Sequence, residues 1–133
     1  MMDHVSAGLF VYAKDLARMA SFYEAVLDMA RAHSSAELVV LKADQFQLIV
    51  DAIPEPIAAQ IEVASPPERR EEAAYKFFFT VPSLDAAHAQ ARDLGGEVLA
   101  ESWRGPGFIV RNAVDPEGNI FQLRELIPVS LER

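Results

Sequence analysis

Gly8-Leu9-Phe10-Val11-Tyr12-Ala13-Lys14-Asp15-Leu16 has a counterpart later in the chain, Phe77-Phe78-Phe79-Thr80-Val81-Pro82-Ser83-Leu84. Each stretch opens as an apolar, β-prone run and ends on a residue suited to cap a helix, Asp15 or Ser83, whose side-chain oxygen can accept from the free N–H groups of a first helical turn. The two caps are separated by 83 − 15 = 68 residues. After Asp15, residues Leu16, Met19, Ala20, Tyr23, Val26 and Leu27 recur at the spacing of one helical face. After Ser83, residues Leu84, Ala87, Ala91 and Leu94 do the same, and Gly95-Gly96 ends the helix because glycine takes the left-handed conformation cheaply. The order strand, cap, helix, repeated at one offset, points to a duplicated unit.

Working outward, each helix is followed by three strand candidates. In the first half these are residues 32–35, 37–42 and 46–51; in the second, 97–101, 108–114 and 119–125. Asp115-Pro116-Glu117-Gly118-Asn119 joins the last two as a hairpin turn, with proline presetting φ and Gly118 supplying a positive one. Each half therefore reads β-α-β-β-β: module one over 4–52, module two over 74–127, and a connection over 53–73. The connection carries Pro54, Pro56, Pro66 and Pro67, a short edge-strand candidate at Ile61-Glu62-Val63, and the charge run Glu68-Arg69-Arg70-Glu71-Glu72, read as a solvated face.

Composition bounds what such a chain does. Its 133 residues hold 12 Lys plus Arg against 20 Asp plus Glu, so 12 − 20 = −8, with 51% apolar residues and no cysteine. The length is enough to bury a sizeable core. The missing cysteines exclude disulfides, zinc-thiolate sites and a cysteine nucleophile. The negative charge argues against phosphate backbones as partners. No apolar run reaches the roughly 20 residues of a membrane helix, and nothing near the start reads as a signal peptide. The expectation is a cytoplasmic protein without nucleic-acid or membrane partners.

Two stretches resemble the vicinal oxygen chelate superfamily, which includes glyoxalase I, extradiol dioxygenases, fosfomycin-resistance enzymes and bleomycin-resistance proteins. They are Phe10 to Leu16 running into Ser21-Phe22-Tyr23-Glu24-Ala25-Val26-Leu27, and Asp115-Pro116-Glu117-Gly118-Asn119-Ile120-Phe121-Gln122-Leu123. The resemblance implies an α+β fold, with two βαβββ modules forming an eight-stranded cupped sheet and the helices outside. It says little of the reaction, since this scaffold hosts many chemistries.

The resemblance also implies where a divalent metal would sit in catalytic members, held by His, Glu or Gln from the first and last strands of each module. The corresponding positions here are Gly8, Ile49, Lys76 and Gln122, with Gln47 and Asp51 as same-face neighbours of Ile49. Cations of this kind need oxygen or imidazole lone pairs, and only Gln122 offers one. His4 stands four residues before Gly8, and His33 and His88 read as structural or surface residues. The expectation is no family-type metal site and no cofactor.

Strand alternation then gives the cup-facing residues. These are Gly8, Phe10 and Tyr12; Gln47, Ile49 and Asp51; Lys76, Phe78 and Thr80; and Ile120, Gln122 and Arg124. Aromatic walls with a few polar groups suit a small-molecule site. Lys76 is the sharpest chemical candidate, as an amine base or imine-forming nucleophile if desolvated, or as an anchor for a carboxylate such as Asp51. Gln122 would orient a ligand, and Trp103, before Arg104-Gly105-Pro106-Gly107, would act as a flap over the cup mouth. The ligand-binding set is thus Lys76, Gln122, Phe10, Tyr12, Gln47, Phe78, Trp103 and Arg124. No Ser–His–Asp arrangement is present. The leading expectation is a metal-free small-molecule binding protein assembling as a homodimer. The alternatives are a metal-independent lyase or isomerase using Lys76, and a structural dimer with a vestigial cup.

Overall fold

A computed structural model describes residues 5–128. Its elements run β1 (Ala7–Ala13), α1 (Leu16–Val26), β2 (Ala30–Ser34), β3 (Leu38–Ala43), β4 (Phe46–Ala52), α2 (Glu55–Ala58), β5 (Phe78–Thr80), α3 (Leu84–Asp93), β6 (Glu97–Gly105), β7 (Phe108–Val114) and β8 (Ile120–Leu126). The α+β class and the two βαβββ modules follow the sequence reading. Asp15 caps α1 by accepting from the Arg18 N–H at 3.1 Å, and Ser83 caps α3 by accepting from the Ala86 N–H at 3.1 Å.

The eight strands pair as two sheets of four, ordered β1-β4-β3-β2 and β5-β8-β7-β6. Within each sheet the first and last strands of the module are parallel neighbours. β1 and β5 are both sheet edges, and no ladder joins them among the described residues. Within one chain, then, the eight strands do not run as a continuous cupped sheet.

The modules meet through their helix-covered faces instead. Met19, Ala20, Phe22, Tyr23 and Val26 of α1 share one buried cluster with Leu41, Leu48 and Val50 of the first sheet and Val98, Ala113, Phe121 and Leu123 of the second. Phe22 meets Phe121 edge-on at 6.1 Å, and Phe77 stacks on Phe121 at 5.2 Å. One core therefore serves both modules, and neither sheet buries its apolar face alone.

The connection departs from its sequence reading in one place. Ile61-Glu62-Val63 forms no strand, and the ordered element there is the short helix α2, begun by Pro54 and Pro56. Proline lacks the N–H a ladder needs but fits the first turn of a helix, where that N–H has no partner anyway. Lys14 Nζ donates to the carbonyls of Ala58 and Ile61, tying the segment after α2 to the end of β1.

The hairpin turn at 115–119 does more than reverse the chain. Asp115 is fully buried, and its carboxylate accepts from the Tyr23 hydroxyl at 2.6 Å, the Glu117 N–H at 2.9 Å, the Asn119 N–H at 3.0 Å and Asn119 Nδ2 at 2.7 Å. Glu117 reaches back to module one, where its carboxylate accepts from the N–H groups of Lys14 and Asp15, each at 2.8 Å. Gly118 has φ +94°, and a Cβ there would run into the Glu68 carbonyl, so this position requires glycine twice over.

Burial raises the Asp115 carboxyl above its ordinary range, against the pull of the hydrogen bonds from Tyr23 and Asn119. Burial likewise raises the Tyr23 phenol well above 10, and the adjoining Asp115 carboxylate adds to it. Asp115→Asn is expected to destabilise the protein by about 2–4 kcal/mol, because an amide group then confronts donors that lose their acceptor; denaturant unfolding measures it. The phenol supplies a second expectation. The folded state keeps the Tyr23 proton where the unfolded chain releases it, so this contribution is intact below about pH 10 and is lost as pH rises further. In an alkaline titration followed at the tyrosinate band, the Tyr23 signal should emerge only with unfolding, and Tyr23→Phe should delete it.

Candidate ligand-binding faces

Each sheet has a second face, turned away from the core. In the first sheet the register aligns Gly8 with Gln47, Phe10 with Ile49 and Tyr12 with Asp51. It continues from Gln47 to Lys42 and from Ile49 to Val40 across β3. In the second, Phe78 aligns with Gln122 and Thr80 with Arg124, Gln122 with Asn112 and Arg124 with Val110, and Val110 with Trp103. These faces leave large apolar groups in water: Phe10 is 54% exposed, Tyr12 63%, Phe78 52% and Trp103 43%.

Of the expected site residues, Phe10, Tyr12 and Gln47 share the first face, and Phe78, Gln122, Arg124 and Trp103 share the second. The two groups are on separate sheets and are not brought together within one chain. Lys76 stands two residues before β5 and is exposed, just ahead of the point where the Phe77 carbonyl accepts from the Gln122 N–H at 3.0 Å. Trp103 is not a flap beside a flexible hinge. The Gly105-Pro106-Gly107 segment is a tight turn between β6 and β7, so strand pairing to Val110 fixes the Trp103 backbone in the second sheet.

The second face holds a feature that sequence alternation from β5 and β8 did not supply. The Arg124 guanidinium carbon lies 3.7 Å from the centre of the Phe78 ring and 4.2 Å from that of Phe108. Both cation–π contacts involve the same planar group. Arg124 Nε and Asn112 Oδ1 are buried without a hydrogen-bond partner among the described residues, where buried polar atoms are ordinarily satisfied. Phe108 and Asn112 come from β7, whose alternation about Val110 would have added them to the face.

The family's metal positions can be tested on this geometry. Gly8 and Ile49 fall on the first face and Gln122 on the second, with Lys76 beside it. Two of the four have no side-chain donor and one is an ammonium, so this set does not fit a divalent cation. Among the described residues no cluster of three or more His, Cys, Asp or Glu side chains is placed to hold one. His88 Nδ1 instead lies 3.2 Å from the Val98 carbonyl, His33 is exposed in β2, and His4 lies outside the described residues. A depression of about 980 Å³ is away from both faces. It lies between residues 62–64, 68–73 and Glu117, where its polar rim is the charge run of the connection.

Paired βαβββ modules with open, aromatic-lined sheet faces define a glyoxalase-type scaffold. The model of the glyoxalase-like domain family matches residues 8–124, and the chain belongs to that family. Solved structures agree on the fold. A glyoxalase/bleomycin resistance protein from Albidiferax ferrireducens superposes with a TM-score of 0.65 at 19% identity, over 91% of this chain and 98% of that one. A glyoxalase/bleomycin resistance protein/dioxygenase family enzyme from Burkholderia phytofirmans gives 0.65 at 16% identity, over 93% and 99%. The fosfomycin resistance protein FosX of Listeria monocytogenes gives 0.63 at 16% identity, over 98% of each chain. No curated protein matches the sequence. No helix among the described residues is long and apolar enough to cross a membrane.

Proposed function

We propose that the chain is a cytoplasmic, metal-free small-molecule binding protein whose ligand cup forms between two copies, the first sheet of one facing the second sheet of the other. The observation that carries this reading is the pair of open sheet faces. Four aromatic side chains are about half exposed on them, and among the described residues the edge strands β1 and β5 have no outer neighbour. Exposed edges and contiguous apolar surface are the features that association removes. A two-fold pairing of β1 with the partner's β5 would close both edges at once, since an isologous contact is made twice. The same step would unite the two groups of site residues that a single chain keeps apart.

Binding is favoured over catalysis because Lys76 has no ion-pair or hydrogen-bond partner among the described residues to activate its amine as a base or nucleophile. A vestigial, structural cup is disfavoured because among the described residues no side chain fills either face: Phe10 and Phe78 stay about half exposed.

Sedimentation equilibrium is expected to give twice the 14.7 kDa chain mass. Phe10→Glu with Tyr12→Glu, both at exposed positions, should shift the protein to monomer while its circular dichroism is kept. A monomeric parent protein would overturn the shared cup. Elemental analysis of purified protein is expected to find no stoichiometric transition metal, and chelator treatment should leave the thermal midpoint unchanged. A tightly held equivalent of nickel, zinc, manganese or iron would defeat the metal-free reading.

A further inference from the structure

The chain is strongly acidic overall, yet around Arg124 the strands β5, β7 and β8 put no acid on the open face of the second sheet, the acid on Trp103's side of the sheet being Glu101 of the outer strand β6. The register places Phe78 and Thr80 of β5, Phe108, Val110 and Asn112 of β7, and Ile120, Gln122, Arg124 and Leu126 of β8 on that face. Arg124 is the one charged residue among them, and Lys76 adds a second cation just before β5. Arg124 forms no ion pair among the described residues, although other arginines do, Arg31 with Glu24 at 2.9 Å and Arg69 with Glu97 at 3.2 Å.

The way Arg124 is held narrows its use. A guanidinium carries its five N–H donors in one plane, in a fork that matches a carboxylate. With Phe78 against one part of the group at 3.7 Å and Phe108 at 4.2 Å, the ring contacts restrict that plane before anything binds. What remains for hydrogen bonding is the in-plane edge. A charge held in this way, with partly buried flanks and no acid to satisfy it, forms the strong, bidentate class of hydrogen bond when an oxyanion arrives. Gln122 and Asn112 form the neighbouring rung, and the Asn112 Oδ1 is itself without a donor.

We propose that this face is a carboxylate subsite: Arg124, stacked on Phe78 and Phe108, takes the carboxylate of a small organic acid, and the Gln122–Asn112 rung faces the polar substituents of its body. The proposal rests on the binding reading above and adds the ligand's charge. It runs against what net charge alone suggests, since a charge of −8 favours cationic ligands at long range. At contact distance the local group decides.

The chain carries its own reporter. Trp103 is the one tryptophan and lies on the same rung as Arg124, with Val110 between them. The experiment titrates the full chain with benzoate, benzamide and benzylamine, three probes of similar shape and different charge, following Trp103 fluorescence and, separately, the thermal midpoint. Benzoate is expected to change the fluorescence saturably and raise the midpoint, with benzamide and benzylamine at least tenfold weaker. Arg124→Gln should weaken benzoate at least tenfold, and Arg124→Lys, which keeps the charge but loses the fork, should fall between the two. Circular dichroism checks that both variants fold; if Arg124→Gln does not, the benzoate-to-benzamide ratio and Arg124→Lys decide. Equal binding of benzoate and benzamide, or undiminished benzoate binding by Arg124→Gln, overturns the carboxylate subsite. Preference for benzylamine overturns it too but leaves the small-molecule reading standing, and silence toward all three probes defeats both.

Discussion

The buried carboxylate of Asp115 is the constraint on which the rest of the arrangement depends. It lies in the turn of module two, yet one of its donors is the hydroxyl of Tyr23, on the helix of module one. Two residues on, Glu117 accepts from the first N–H groups at the end of β1. A single five-residue turn thus closes a hairpin, sets the depth of α1 in the shared core and holds the start of that helix. Hydrogen bonds to a charged acceptor in a low-dielectric interior are directional and strong. They fix how the two modules sit, where apolar packing by itself tolerates sliding. With the modules held by their helix-covered faces, their other faces are left open.

Much of this was legible in the sequence, and for a physical reason. Helix caps, apolar periodicity and glycine-proline turns are local devices, so Asp15, Ser83 and the paired strand–helix order could be read in place. The four metal positions came from the resemblance to the superfamily and not from any local device. What could not be read was how the sheets relate to one another. A strand's alternation shows that Phe10 and Tyr12 share a face, but not which sheet that face will meet. Local cues also misjudged Trp103: Gly-Pro-Gly beside it suggested a hinge, whereas pairing to β7 makes the glycines a tight turn. Ile61-Glu62-Val63 failed as a strand because Lys14 holds the Ile61 carbonyl and prolines stand on both sides of the run. Arg124 was on the expected face, but its clamp was not, since Phe108 reaches it from another strand.

The distribution of charge makes a related point. Twenty acidic residues set the long-range field of the molecule, and they are concentrated on helices, turns and the connection. The open-face positions of β5, β7 and β8 carry none. Long-range potential affects which molecules approach, while stacked and hydrogen-bonded groups affect which of them stay. For a site of this kind the two need not have the same sign.

Strands β1, β4 and β8 divide their residues by parity. Leu9, Val11, Leu48, Val50, Phe121 and Leu123 pack into the core, while Phe10, Tyr12, Gln47, Ile49, Gln122 and Arg124 between them do not. Substitution at the second set changes what the molecule meets and leaves the first set intact. Half of each of these strands can therefore be rewritten at little risk to folding. Solved structures keep this fold over nearly their whole length at only 16–19% identity, and the outward-facing parity is the place to engineer new ligand chemistry on this scaffold.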